Sequence, residues 1–251
     1  MKAQFLTLTA TRGPSRPRPR LDFGGLQLRD AGFIPGALVQ ALPQPGGLAF
    51  YLRNQITGTY SDLWRLTNQL GGKLMQVTQS GDPQQYPRLY TTDPFLTQTA
   101  LSIGDPLIAV IEPELIRIQK LPPNLKPIPA AAPIKNRAGM EVPKVRICGL
   151  WLNDYGFGIN AMVTAHPEPG RITFTVRKDD NYRDTVRFAY KNNLKLLQIR
   201  QESHNRGQPV PVISVTGSCV NKAQFDPEDL FLASCSPGEI TLQRLDFDKL
   251  G

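Results

Sequence analysis

The chain has little of the residue types that carry most catalytic and metal chemistry. Its 251 residues include three cysteines (Cys148, Cys219, Cys235) and two histidines (His166, His204). Three scattered cysteines supply neither a disulfide framework nor a paired CxxC metal site. Two histidines leave scant material for a Ser-His-Asp arrangement or a His-rich metal centre. No apolar run approaches the roughly 20 residues that a membrane-spanning helix needs. The opening "MKAQFLTLTA" is too short and too polar for a secretory h-region. GxxxxGK[ST], HExxH and GxSxG are also missing. The expectation from these absences is a protein of a reducing cytoplasm with no membrane partner, no metal and no cofactor. They also weigh against an enzyme.

What the chain does have is positive charge and repetition. Its net charge is +8, which suits an anionic partner. Two stretches are biased toward proline. "TRGPSRPRPR" (11–20) carries four arginines, three prolines and no acid, and predicts a flexible basic arm over residues 1–20. "KLPPNLKPIPAAAPIKNRAGMEVPK" (120–144) carries six prolines and predicts a semi-rigid linker over 121–143. Domains of 21–120 and 144–251 would flank it.

Those flanks are copies of one another. Shifted by 124, residues 20–53 lie on 144–177 without a gap, and fourteen of 34 positions are identical, among them Gly25/Gly149, Asp30/Asp154, Phe33/Phe157 and Pro45/Pro169. Residues 60–77 then match 182–199 with a shift of 122, and 101–120 match 225–244 more loosely. A fainter repeat lies inside each copy. With a shift of 68, Leu28, Phe33, Gly36, Val39, Ala41, Pro45 and Leu48 meet Leu96, Leu101, Gly104, Leu107, Ala109, Pro113 and Ile116. One motif therefore recurs four times: a short strand, a helical turn ending in a bulky apolar residue, and a hairpin whose centre is a proline turn. Open sheet edges in such half-units favour pairing between them.

"GLWLNDYGFGINAMVTAHPEPGRITFTV" (149–176) resembles the SymE-type branch of the AbrB/SpoVT/MazE swapped-hairpin superfamily, in its G-x-W-L start, its Gly-Phe step and its Pro-Gly hairpin. "LQLRDAGFIPGALV" (26–39) is similar, with Gln27 in place of the tryptophan, and "LSIGDPLIAVIEPELIRIQK" (101–120) follows the broader pattern with its own Gly104-Asp105. The fourth copy has Pro227-Glu228-Asp229 there. The resemblance implies a mainly β fold with some α: two tandem AbrB-like swapped-hairpin β-barrels. Each would be an intramolecular pseudo-dimer with one inserted helix, because the family normally interleaves hairpins from two chains. Within this frame "GLWLNDYGF" is a turn rather than a site. Trp151, Leu152 and Phe157 have the spacing of a buried face, and Gly156 suits a left-handed helix end.

Each inserted helix is expected to cover one end of its barrel, through Tyr60, Leu63, Trp64 and Leu70 in the first copy and Tyr182, Val186, Ala189 and Tyr190 in the second. In the second copy Arg183, Arg187 and Lys191 recur every four residues and line one helical face. The resemblance implies nucleic-acid binding, DNA foremost, in a regulatory role without catalysis. The candidate phosphate contacts are Arg12, Arg16, Arg18, Arg20, Arg29, Lys144, Arg146, Arg183, Arg187 and Lys191. Two alternatives stand beside it. One is a SymE-like toxin that cleaves RNA, for which "RQESHNR" offers His204, Glu202 and Arg206. The other is an assembly scaffold that binds a protein partner or a second copy of itself.

Overall fold

The structure, a computed structural model, describes residues 2–11, 17–53, 59–80, 85–92, 95–128, 132–135, 139, 141–178, 181–203, 208–226 and 229–245, with backbone alone at 132–133. It is mainly β. The chain divides into a first unit, Met1–Pro122, and a second, Pro123–Asp246.

In the first unit the order is β1 (Lys2–Thr7), β2 (Thr9–Ala10), β3 (Pro19–Gly24), α1 (Leu26–Asp30), β4 (Leu38–Gln44), β5 (Gly47–Leu52), α2 (Tyr60–Gln69), β6 (Lys73–Gln76), β7 (Thr78–Gln79), β8 (Pro87–Thr92), the 3-10 turn η1 (Phe95–Thr99), β9 (Pro106–Glu112) and β10 (Leu115–Lys120). The second unit runs β11 (Leu125–Ile128), β12 (Ala132–Lys135), β13 (Glu141–Cys148), the 3-10 turn η2 (Leu150–Tyr155), β14 (Met162–Glu168), β15 (Arg171–Arg177), α3 (Tyr182–Lys191), β16 (Lys195–Gln198), β17 (Arg200–Ser203), β18 (Pro209–Thr216), α4 (Ser218–Lys222), β19 (Phe231–Ser236) and β20 (Glu239–Arg244).

Each unit holds a six-stranded and a four-stranded antiparallel sheet. The orders are β1-β9-β10-β5-β4-β6 and β2-β3-β8-β7 in the first, β11-β19-β20-β15-β14-β16 and β12-β13-β18-β17 in the second. The two sets correspond strand for strand. Within a unit the pairing is also palindromic. Ala49 lies opposite Arg117 and Asp22 opposite Tyr90. Thr173 lies opposite Thr241 and Arg146 opposite Ser214. In each of the four pairs the numbers differ by 68, the shift of the internal sequence repeat, so each central strand pair is symmetric about its own midpoint. The first half's N-terminal strand, β1, pairs with β9 of the second half, while β6 of the second half pairs with β4 of the first.

Four prolines shape the hairpin tips. Pro45-Gly46, Pro113-Glu114, Pro169-Gly170 and Pro237-Gly238 connect the paired strands β4/β5, β9/β10, β14/β15 and β19/β20. The residue after proline has positive φ in all four: 69°, 62°, 78° and 79°. Proline preset for the first corner, followed by a left-handed second corner, is the type II pattern. Glycine meets it without strain, and Glu114 meets it against its own preference.

The duplicated apolar positions fill two equivalent cores. Leu28, Phe33, Val39, Ala41 and Phe50 are buried in the first unit, as are Leu152, Phe157, Val163, Ala165 and Phe174 in the second. "GLWLNDYGF" forms a turn with a buried face, as its spacing predicts. Leu152 and Phe157 are fully buried, half-buried Trp151 meets Tyr155 edge-on, and Gly156 caps the turn at φ 86°.

Two boundaries differ from those the composition predicts. Residues 1–20 do not form a flexible arm throughout: β1 pairs with β9 along its length, Leu8 is fully buried, and β2 pairs with β3. Nor is 121–143 a linker, because β11 pairs with β19 and β12 with β13. These are equivalent pieces, the first two strands of each unit. Their prolines mislead because Pro127 and Pro133 sit on edge strands and Pro19 opens a strand, the places where a missing N–H costs least.

Candidate nucleic-acid interface

α3 begins at Asn181, whose side chain accepts a hydrogen bond from the Arg183 amide at 3.0 Å. Only Thr185 and Ala189 of this helix are buried, so a narrow stripe of small side chains seats it. The expected broad covering face is not formed: Tyr182 is 65% and Tyr190 89% exposed, and Val186 is also exposed. Arg183, Arg187 and Lys191 are exposed on the same helix. Arg187 lies 3.8 Å from the Asp184 carboxylate, and among the described residues Arg183 and Lys191 have no ion-pair partner. On the other flank the Arg177 guanidinium stacks over Phe188 at 3.9 Å. Counting Arg183, Arg187 and Lys191 against Asp184, the helix carries a net charge of +2.

α2 is the same element with different chemistry. Thr59 and Asp62 form a reciprocal capping box. Its inner contact is polar: the Gln40 amide donates to the buried Thr67 hydroxyl at 2.8 Å, and Arg53 donates to the Gln40 oxygen. Trp64 is 54% exposed, and Tyr60, Leu66 and Leu70 are exposed as well, against the expected covering face; Leu63 is half-buried. Ser61 and Gln69 stand where α3 has Arg183 and Lys191, and Arg65 is paired with Asp62 at 3.4 Å. Its net charge is zero.

The remaining sequence candidates are scattered. Arg12 and Arg16 lie outside the described residues. Arg18 is exposed. Arg20 is committed inside the protein, ion-paired to Asp22 and 5.1 Å from the Tyr90 ring centre, with its Nε buried and unpartnered. Arg29 donates to the Gln85 carbonyl at 3.1 Å. Lys144 is half-buried on β13, and Arg146 forms an ion pair with Glu202. That contact also bears on the RNA-cleavage candidates, because it engages the carboxylate of Glu202. His204 and Arg206 lie outside the described residues. Among the described residues no cluster of His, Cys, Asp or Glu is arranged to hold a metal.

One charged group that the sequence did not single out is Arg88, whose guanidinium grips Asp22 with two nitrogens. Its hydrogen bond, assisted by Arg20, holds the Asp22 carboxyl below the usual carboxylate range against the opposing effect of burial. Asp22 and Arg88 border an open cavity of about 590 Å³ with Gln4, Phe23, Gly24, Ser80 and Tyr86. The second unit replaces Asp22, Gly24 and Arg88 by Arg146, Cys148 and Val212, so this feature belongs to the first unit alone. No spacing signal ties Arg88 to Asp22, because they meet only when β3 pairs with β8. The outward tyrosines of α3 had a signal, since Thr185 and Ala189 are the residues small enough to lie against a sheet.

No family model, no curated protein and no solved structure matches the chain. Among the described residues no helix is long and apolar enough to cross a membrane.

Proposed function

We propose that the protein is a cytoplasmic nucleic-acid-binding protein, regulatory and without catalysis, built from two AbrB/SymE-like swapped-hairpin barrels each closed within one chain. The palindromic pairing and the exchange of β1 and β6 between half-units support that architecture. The observation that carries the function is the outer face of α3, where Arg183, Arg187 and Lys191 stand exposed. Such a row attracts phosphates by a sequence-independent, salt-sensitive term. Arg18 extends the basic surface of the first unit, whereas Arg20, Arg29 and Arg146 already hold protein partners and rank below α3.

The test is a salt titration of binding by the wild type and by the Arg183→Ala/Arg187→Ala/Lys191→Ala variant, using labelled DNA. Removing three phosphate contacts should lower the slope of log K against log salt by roughly 2 to 3. An unchanged slope would place the contacts elsewhere.

A further inference from the structure

Resting on the nucleic-acid reading, we propose that α3 takes a single strand, with unpaired bases stacking on Tyr182 and Tyr190 while Arg183, Arg187 and Lys191 hold the phosphates. At 100° per residue, Tyr182, Val186 and Tyr190 drift slowly around the helix and form one stripe; Arg183, Arg187 and Lys191 form a second stripe beside it. Buried Thr185 and Ala189 lie opposite the cation stripe, and the exposed tyrosine stripe runs between the two. The two tyrosines are eight residues apart, a rise of about 12 Å, and the three cations span the same length.

Charge complementarity makes the occupant a polyanion, and the tyrosines choose its form. A duplex presents phosphates and base edges but keeps its base faces stacked, so it gives an exposed phenol ring nothing to lie on. An unpaired strand offers free base faces, and a basic track lined with aromatic rings is how proteins hold single strands without reading sequence. α2 is an internal contrast. It keeps exposed aromatics at Tyr60 and Trp64 but carries no net charge, so it lacks the phosphate-holding half of the site.

The experiment measures fluorescence anisotropy of the full chain with a labelled oligothymidylate and with a duplex of the same length. Tyr182→Ala and Tyr190→Ala should each weaken single-strand binding by about tenfold, without changing the salt slope. Tyr182→Phe and Tyr190→Phe should bind as the wild type does, because the ring face is retained. Both positions are exposed, so each variant should fold as the wild type does, which circular dichroism checks. A wild type that prefers the duplex, or alanine variants that bind the single strand unchanged, would overturn the single-strand site while leaving the nucleic-acid reading intact. Absence of binding to either form at low salt, or binding only to anionic vesicles, would remove both.

Discussion

The hairpin tips show how much one backbone angle settles. Gly170 sits at φ 78° with nothing within 4 Å of where a Cβ would stand, so substitution there meets backbone strain and no clash. Gly170→Ala should therefore lower the stability of the second unit by about 1–2 kcal/mol. Glu114 occupies the equivalent corner at φ 62°, and Glu114→Gly should raise the first unit's stability by up to about 1 kcal/mol. Denaturant midpoints of both variants check the pair, and equal effects of the same sign would contradict it. Asp22 makes a second prediction at this scale. Its folded pKa lies below the ordinary value because of Arg88 and Arg20. The stability it contributes is thus present above the ordinary carboxylate pKa and lost as pH falls through the lowered one. Asp22→Asn should cost about 1 kcal/mol at pH 7, discounted for the partly exposed arginines. The gap to the wild type should close as the pH falls below the ordinary carboxylate range and through the lowered pKa of Asp22; a gap constant with pH would refute the assignment.

Among the elements, those with a repeat were legible and those without one were not. Residues 38–52 and 162–177 read as hairpins because proline turns divide apolar runs, and the 68-residue shift anticipated that β4 and β5 would reappear as β9 and β10. The same shift marks the midpoints of the central strand pairs, at Ala49/Arg117 and Thr173/Thr241. β11 and β12 escaped because their own prolines imitate a linker, and β1 and β2 because the proline-rich run at 11–20 follows them; an edge strand tolerates proline that an inner strand would not. The helices were found, but their orientation was not. Hydrophobic periodicity placed Tyr60, Trp64, Tyr182 and Tyr190 toward the core. Instead, the packing surface of each helix is set by one or two small or polar residues, Thr67 in α2 and Thr185 with Ala189 in α3. A close approach to a sheet admits Ala and Thr and turns larger rings outward.

At the scale of the whole molecule, duplication has produced two units with one topology and unequal surfaces. The cores are nearly interchangeable, with Phe33, Phe50 and Leu28 in one and Phe157, Phe174 and Leu152 in the other. The divergence is outside: an Asp22–Arg88 pair beside a cavity in the first unit, and a basic, aromatic helix in the second. The scaffold keeps its core and alters one helix from neutral to a charge of +2, and the proposed function seats its anionic partner on that helix. The most direct test is chemical-shift mapping of the full chain during titration with an oligonucleotide at low salt. The account predicts perturbations centred on 182–191, with α2 at 60–69 unaffected although it is the same element in the same fold. Perturbations on α2, or on the sheets with α3 silent, would contradict it.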